Sequence, residues 1–390
     1  MTLTSGEPGN AIVGSDHVGW ICKYSMVRAN VINQALLDSL LTGNCHSPVA
    51  RVYLEDSATA VQTEIGQLTT FFRAENQKSS FKGVFSGTVR PEKLSSSYTN
   101  LYRSNMTPTL ANYFIIKAGY HFDGSEILVS LFKGVMKDRA ATYGTTAGLN
   151  INGFDFADRL EGAPGIWSGD DYPTAQSLAI AILNSAGITT YSFNGFTDFS
   201  ISGISFNNQN GLDTITRLAG FQGTTSWYFD GAGIFNMSDV PTDTTVKYDY
   251  SNAPAQSLEF QTTSRDIITD VNIVGNGIAL QRQTDSSDQA LYGFINNVHQ
   301  NSIISTQAEA IAAADLIINE SRKNDVSLTV AFNPFLVIDD VININHAETG
   351  DADKKYRVTG FTHFFDAETF KTRITAEEVS PTLPTINTVP

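Results

Sequence analysis

Cysteine is almost absent: Cys22 and Cys45 are the only two in 390 residues. Two thiols allow one bridge at most, so a disulfide scaffold is excluded as the source of stability. His46 follows Cys45 directly, and sequence adjacency is poor geometry for a thiolate–imidazole pair, so both cysteines read as ordinary thiols. Basic residues are scarce as well. Lys and Arg total 25 against 40 Asp and Glu, a formal net charge of −15. A surface that grips nucleic acid needs clustered cations, and no such cluster occurs. No apolar run approaches the ~18 residues of a membrane helix. Residues 1–19 hold neither a basic n-region nor an apolar h-region of a signal peptide. A chain made in a cytoplasm, without stable membrane insertion, is expected.

Catalytic motifs are missing too. No Gly-x-Ser-x-Gly elbow surrounds a serine, and no Gly-x-x-x-x-Gly-Lys-Ser/Thr loop occurs. The histidines are His17, His46, His121, His299, His346 and His363, and none forms a His-x-x-x-His ligand pair. His346, Glu348, Asp351 and Asp353 make one polar cluster. It lacks the full Asp-x-Asp-x-Asp-Gly…Glu spacing of a calcium loop and reads as a solvated hairpin loop. Asp339-Asp340 and Asp170-Asp171 are the acidic pairs to weigh as a glycoside-cleaving dyad. The first pair falls on an expected strand, where adjacent side chains point to opposite faces. The second falls in a loop, where solvated charge is the simpler reading. Trp167 and Trp227 would suit a sugar-stacking platform, but aromatic side chains more often fill cores. No catalytic, cofactor-binding or metal-ligating residue is assigned, and no cofactor is expected.

What is present is a folding composition: 41% hydrophobic and 17% charged residues, with 30 Gly, 14 Tyr and 24 Phe. That content leans to β structure, and the length suffices for two or three cores. Residues 1–19 read as an arm, and Val27 to Leu41 as a short helix. Strands are expected at Val49–Leu54, Phe81–Val89, Tyr113–Ala118 and Ile127–Met136, the last two joined by Asp123-Gly124. Ala58 to Glu75 is ambiguous, and 93–108 is loop. Leu149–Phe154 is a strand running into a helical turn at Asp155–Leu160.

Thr174–Ser185 is an amphipathic helix with Ala175, Leu178, Ala179 and Ile182 on one face and Gly187 at its C-terminal cap. Asn210 caps a helix over Leu212–Ala219, closed by Gly220. Ser226–Asp230 and Ile234–Met237 form a hairpin. Asp266–Val274 is a strand, 275–290 mostly loop, and Tyr292–Phe294 a short edge strand.

The most informative stretch is Ser305 to Glu378. Thr306-Gln-Ala-Glu309 is a capping box that opens an Ala-rich helix to about Ser321, with Leu316, Ile317 and Ile318 as its apolar weight. The period then changes to two over Val326, Leu328, Val330 and Phe332. Asn333-Pro334 ends that strand, and Phe335–Ile344 is a second run. Tyr356–Phe364 and Phe370–Glu377 flank a hairpin turn at Asp366–Thr369. One helix and four antiparallel strands make a small barrel or curled sheet.

The order of these elements resembles that of tailed-phage baseplate hub proteins. The resemblance rests on Asn150–Leu160, Ala179–Ile188, Gly211–Ala219 followed by Trp227–Ile234, and Ser305–Glu377, and it spans Ile127 to Glu378. It implies a mainly β protein with α+β parts: two small β-barrel-like domains of similar fold with an intervening helix-and-hairpin subdomain. The expected division is an arm at 1–19, a first β-rich domain at 20–146, a middle α+β subdomain at 147–264, a second barrel domain at 265–379 and an extended tail at 380–390.

What it implies for function is a non-enzymatic homotrimer that adapts a six-fold tail tube to a three-fold central spike. Two similar modules in each of three chains imitate six-fold symmetry. The implied partners are the tail tube protein, the spike protein, the tape measure and other baseplate proteins, with DNA only in passage. The implied location is the virion tail. A tail-tip peptidoglycan hydrolase and a carbohydrate-binding β protein are the alternative readings.

Overall fold

The computed structural model describes residues 45–56, 60–78, 83–89, 112–122, 125–142, 148–163, 165–207, 209–250, 260–346, 351–365, 370–379 and 381–389. The expected arm, the helix at Val27–Leu41, the loop at 93–108 and the turns at 123–124 and 366–369 lie outside these residues. The protein is mainly β, with α+β parts.

The first module has six antiparallel strands: β1 (Cys45–Asp56), β2 (Gln62–Gln77), β3 (Val84–Val89), β4 (Asn112–Phe122), β5 (Ser125–Thr142) and β6 (Gly148–Phe154). Pairing runs β1-β4-β5-β6-β3-β2 and returns from β2 to β1, so the ring closes on itself. Closure removes open edges. The ambiguous stretch Ala58–Glu75 contributes most of β2. Alternation places Val52, Leu54, Phe114, Ile116 and Phe132 in buried positions, and Phe85 stacks on Phe114 at 4.5 Å.

The middle region holds α1 (Ala157–Gly162), β7 (Trp167–Ser168), α2 (Ala175–Ser185), β8 (Tyr191–Ser192), β9 (Ser205–Phe206), α3 (Gly211–Gln222), β10 (Thr225–Phe229) and β11 (Phe235–Asp239). Asp155 starts α1: its carboxylate accepts from Ala157 N at 2.9 Å and from Gly83 N at 2.8 Å, tying the helix to the first module. α2 opens with Thr174 accepting from Ser177 N, and Ala175, Leu178, Ala179 and Ile182 are all buried. Each Leu or Ile fully removed from water contributes about 1.5–3 kcal/mol.

Asn210 caps α3 as expected, but the helix runs through Gly220 and stops at Gly223, whose φ of +70° is left-handed. Gly220 has no capping role because the helix continues past it to Gln222. At the tip of the β10–β11 hairpin, a Cβ on Gly231 would lie 2.1 Å from the carbonyl oxygen of Ser130, so only glycine lets the hairpin sit on β5.

The chain then makes β12 (Val246–Asp249) and β13 (Phe260–Ser264), followed by β14 (Asp270–Val274), β15 (Ala279–Thr284), α4 (Ser286–Tyr292), β16 (Asn296–Gln300) and α5 (Gln307–Glu320). Its last strands are β17 (Asn324–Ala331), β18 (Val341–His346), β19 (Asp351–Phe365), β20 (Phe370–Glu378) and β21 (Ile386–Thr388). Strands β12, β18, β19, β20, β17 and β13 pair in that order. No pairing joins β12 to β13 among the described residues. The core of this sheet includes Tyr248, Leu328, Ile342, Tyr356 and Ile374.

Several expectations differ from this outcome. The sheet crosses the expected 264/265 boundary, because β12 and β13 pair with β18 and β17. Residues 270–300, with the tail strand β21, form a separate sheet ordered β16-β14-β15-β21, which α5 covers. The stretch expected as loop holds β15 and α4. β15 buries one apolar side chain, Leu280, too few to mark a strand by pattern, and Asp285 caps α4 by accepting from Asp288 N. Tyr292 ends that helix instead of opening a strand. In α5 the buried residues are Ala310, Ala314 and Ile318, four apart, while Leu316 and Ile317 are half-buried.

Phe335 to Asp340 is a buried turn, with a strand starting only at Val341. Asp339 sits at φ +70°, and the Asp340 carboxylate accepts from Val337 N at 2.9 Å, a local bond that competes with ladder formation.

Candidate functional site

The acidic pairs are engaged in structure. Asp339 binds Lys78 at 2.6 Å while Asp340 closes its own turn, so the two do not face one another although neither lies on the expected strand. Asp170 accepts from Gly203 N at 3.0 Å on an exposed loop. Trp227 is 1% exposed and stacks on Phe235 at 6.1 Å, and Trp167 is buried in the same cluster. Neither ring offers a free face to a sugar.

Cys22 and Glu348 fall outside the described residues. Cys45 and His46 are placed in β1, and His346 and Asp351 are register partners across β18 and β19. Among the described residues no group of three or more His, Cys, Asp and Glu side chains converges as metal ligands would.

What the fold does bring together is a junction between modules, which motif reading missed because its partners are far apart in sequence. The C-terminal half of β2 pairs with β19, from Phe72↔Phe365 to Gln77↔Gly360. One sheet of twelve strands therefore runs through both modules. Lys78 continues the contact through its N–H to Thr359 O at 2.9 Å and its ammonium to Asp339. Nearby, the buried Tyr120 of β4 donates its hydroxyl to Phe332 O at 2.6 Å, crossing from the first module to the end of β17. Burial pushes the phenol well above its ordinary range, so it remains a donor.

A charge network fastens the helical layer to the second sheet. Arg265 reaches Glu320 at 3.0 Å, Asp325 at 2.6 Å and Glu377 at 2.9 Å, and Lys323 adds Glu320 and Glu377. Hydrogen bonding to Asp325 raises the guanidinium's proton affinity further. Burial alone would raise the Glu377 carboxyl, but Lys323 and Arg265 outweigh it and hold the group below the ordinary carboxylate range.

Beside this network lies a cleft of about 560 Å³, lined by Ser226, Lys323, Arg357, Thr359, Glu377 and Glu378 among others. Its cations and carboxylates are of both signs and its walls carry no aromatic face.

The fold has counterparts among solved structures. A 43 kDa tail protein from prophage MuSo2 of Shewanella oneidensis superposes with a TM-score of 0.57 at 13% identity, covering 84% of this chain and 98% of the other. The tail protein from Neisseria meningitidis MC58 gives 0.58 at 10% identity, with 84% and 96% covered. This chain has the fold of a phage tail protein. A third counterpart is the E. coli c3393 protein, a type VI secretion component described as similar to the T4 tail proteins gp27 and gp5. It gives 0.50 at 10% identity, covering 85% and 79%. No protein-family model and no curated protein sequence matches. Identity this low is why the likeness lies in the order of elements and not in any shared residue string.

Proposed function

We propose that the protein is a structural tail hub: a homotrimer that adapts a six-fold tail tube to a three-fold central spike and lines part of the channel for genome release. The observation that carries this reading is the continuous sheet through β2 and β19, which welds two β modules into one rigid chain. Three copies of a rigid two-module chain present six comparable surfaces, which a symmetry adaptor requires. The tail proteins covered almost end to end and the type VI component with its described likeness to T4 gp27 and gp5 support this reading. A formal charge of −15 suits a channel that lets DNA phosphates pass without holding them. The proposed partners are the tube protein, the spike protein, the tape measure and other baseplate proteins.

Mass measurement in solution, with and without the spike protein, tests the stoichiometry. Three copies per assembly are expected. A strict monomer or dimer that stays so with its spike sinks the reading, as does a particle image lacking a three-fold ring between tube and spike.

A further inference from the structure

Among the described residues, helix α4 and strand β16 leave an apolar edge uncovered. α4 buries none of its residues. Between Leu291 and Val298, Leu291 is 73% exposed, Phe294 61% and Val298 60%, and Tyr292 and Ile295 are open to solvent as well. Single apolar residues on a surface need no explanation, but a contiguous run does. β16 pairs in parallel with β14, and no strand among the described residues pairs with its other edge. An open edge is usually defended by Lys, Pro or a bulge. Residues 289–308 contain no Lys, Arg, Asp, Glu or Pro. On a chain this acidic, an uncharged strip is where another chain can approach without repulsion.

We propose that this edge takes a β-strand from a different protein of the tail, an extended segment with apolar side chains at alternate positions, added beside β16. Strand addition supplies main-chain hydrogen bonds for affinity and alternating side-chain contacts for selection. Three other edge strands among the described residues, β21, β13 and β12, are polar and offer no complement. Asn387 and Thr388 are exposed on β21, Gln261, Thr263 and Ser264 on β13, and β12 carries Lys247 and Asp249. Pairing of β16 with its own copy would be two-fold, linking rings to one another instead of closing one. The identity of the occupant as a tail protein rests on the function proposed above.

The test places a photo-crosslinking amino acid at Val298 of the full chain in assembled tail particles, with exposed Ile166 as the control position. The expected result is an adduct from 298 to a protein of different mass, with amide exchange at 296–300 slower in the particle than in the free chain. Adducts only between copies of this chain overturn the proposal. So does a chain present in the particle with no adduct and unprotected amides. A chain absent from the particles sinks the tail reading and takes this one with it, and particle composition alone tells that case apart. Val298→Asp, which adds a charge to an exposed site, is expected to keep the melting behaviour and solution mass of the parent while being incorporated about tenfold less. Undiminished incorporation also overturns the proposal.

Discussion

His363 shows how much one side chain depends on its surroundings. It is buried against Phe332 and Phe361, with ring centroids at 5.3 and 5.1 Å, and its Nδ1 lies 2.9 Å from Thr372 Oγ1. Thr372 Oγ1 also accepts the Asn333 N–H, and Nε2 of the imidazole has no hydrogen-bond partner. Burial pushes the imidazole from 6.5 down to about 3. Below about pH 6.5 the unfolded chain takes up a proton that the folded chain refuses. Stability is therefore intact above that pH and falls as pH drops towards 3, by roughly 1.4 kcal/mol per unit. Between about pH 7 and pH 5 the loss from this group is roughly 2 kcal/mol. Urea midpoints at both values, compared with His363→Phe, measure it: the variant is expected to lose less on acidification. An equal slope in the two proteins would contradict this account of the ring. The sequence displays His363 but not its burial. Period-two counting from Tyr356 breaks at the bulge between Val358 and Gly360, after which the buried parity changes.

At the scale of elements, readability followed the strength of local signals. α2, α3 and α5 all start where a capping side chain stands, at Thr174, Asn210 and Thr306. The box at α5 is reciprocal: Thr306 accepts from Glu309 N at 3.2 Å, and Glu309 accepts from Thr306 N at 3.0 Å. Removing it by Thr306→Ala is expected to cost about 1 kcal/mol, read from the denaturant midpoint with an unchanged slope. β10 and β11 were equally plain from the glycines between two aromatic runs. β15 and α4 were not, because their stability comes from neighbours. β15 is held between β14 and β21, and Arg282 on it binds Asp315 of α5. Nothing within residues 275–290 announces those partners. The same limit applied to the junction, where Tyr120 meets Phe332 and Lys78 meets Asp339 across more than 200 residues of chain.

For the molecule as a whole, the shared sheet makes the two β modules one cooperative unit. β2 pairs with β1 and β3 on one side of the junction and with β19 on the other, so neither module can unfold without stripping partners from the next. Calorimetry and near-UV dichroism are expected to show both modules melting in a single transition. Tyr120→Phe removes the hydroxyl that donates to the Phe332 carbonyl and should lower that transition by about 1 kcal/mol, again as one step. Two resolved transitions in the parent would refute the coupling.

A strand shared by two modules also leaves no hinge along their common ladder. Twisting one module against its neighbour would tear the ladder from Phe72 to Gln77 all at once. In the ring proposed above, any dilation that lets a bulky cargo through would then open the seams from chain to chain, while each chain moves like a single stone in an arch.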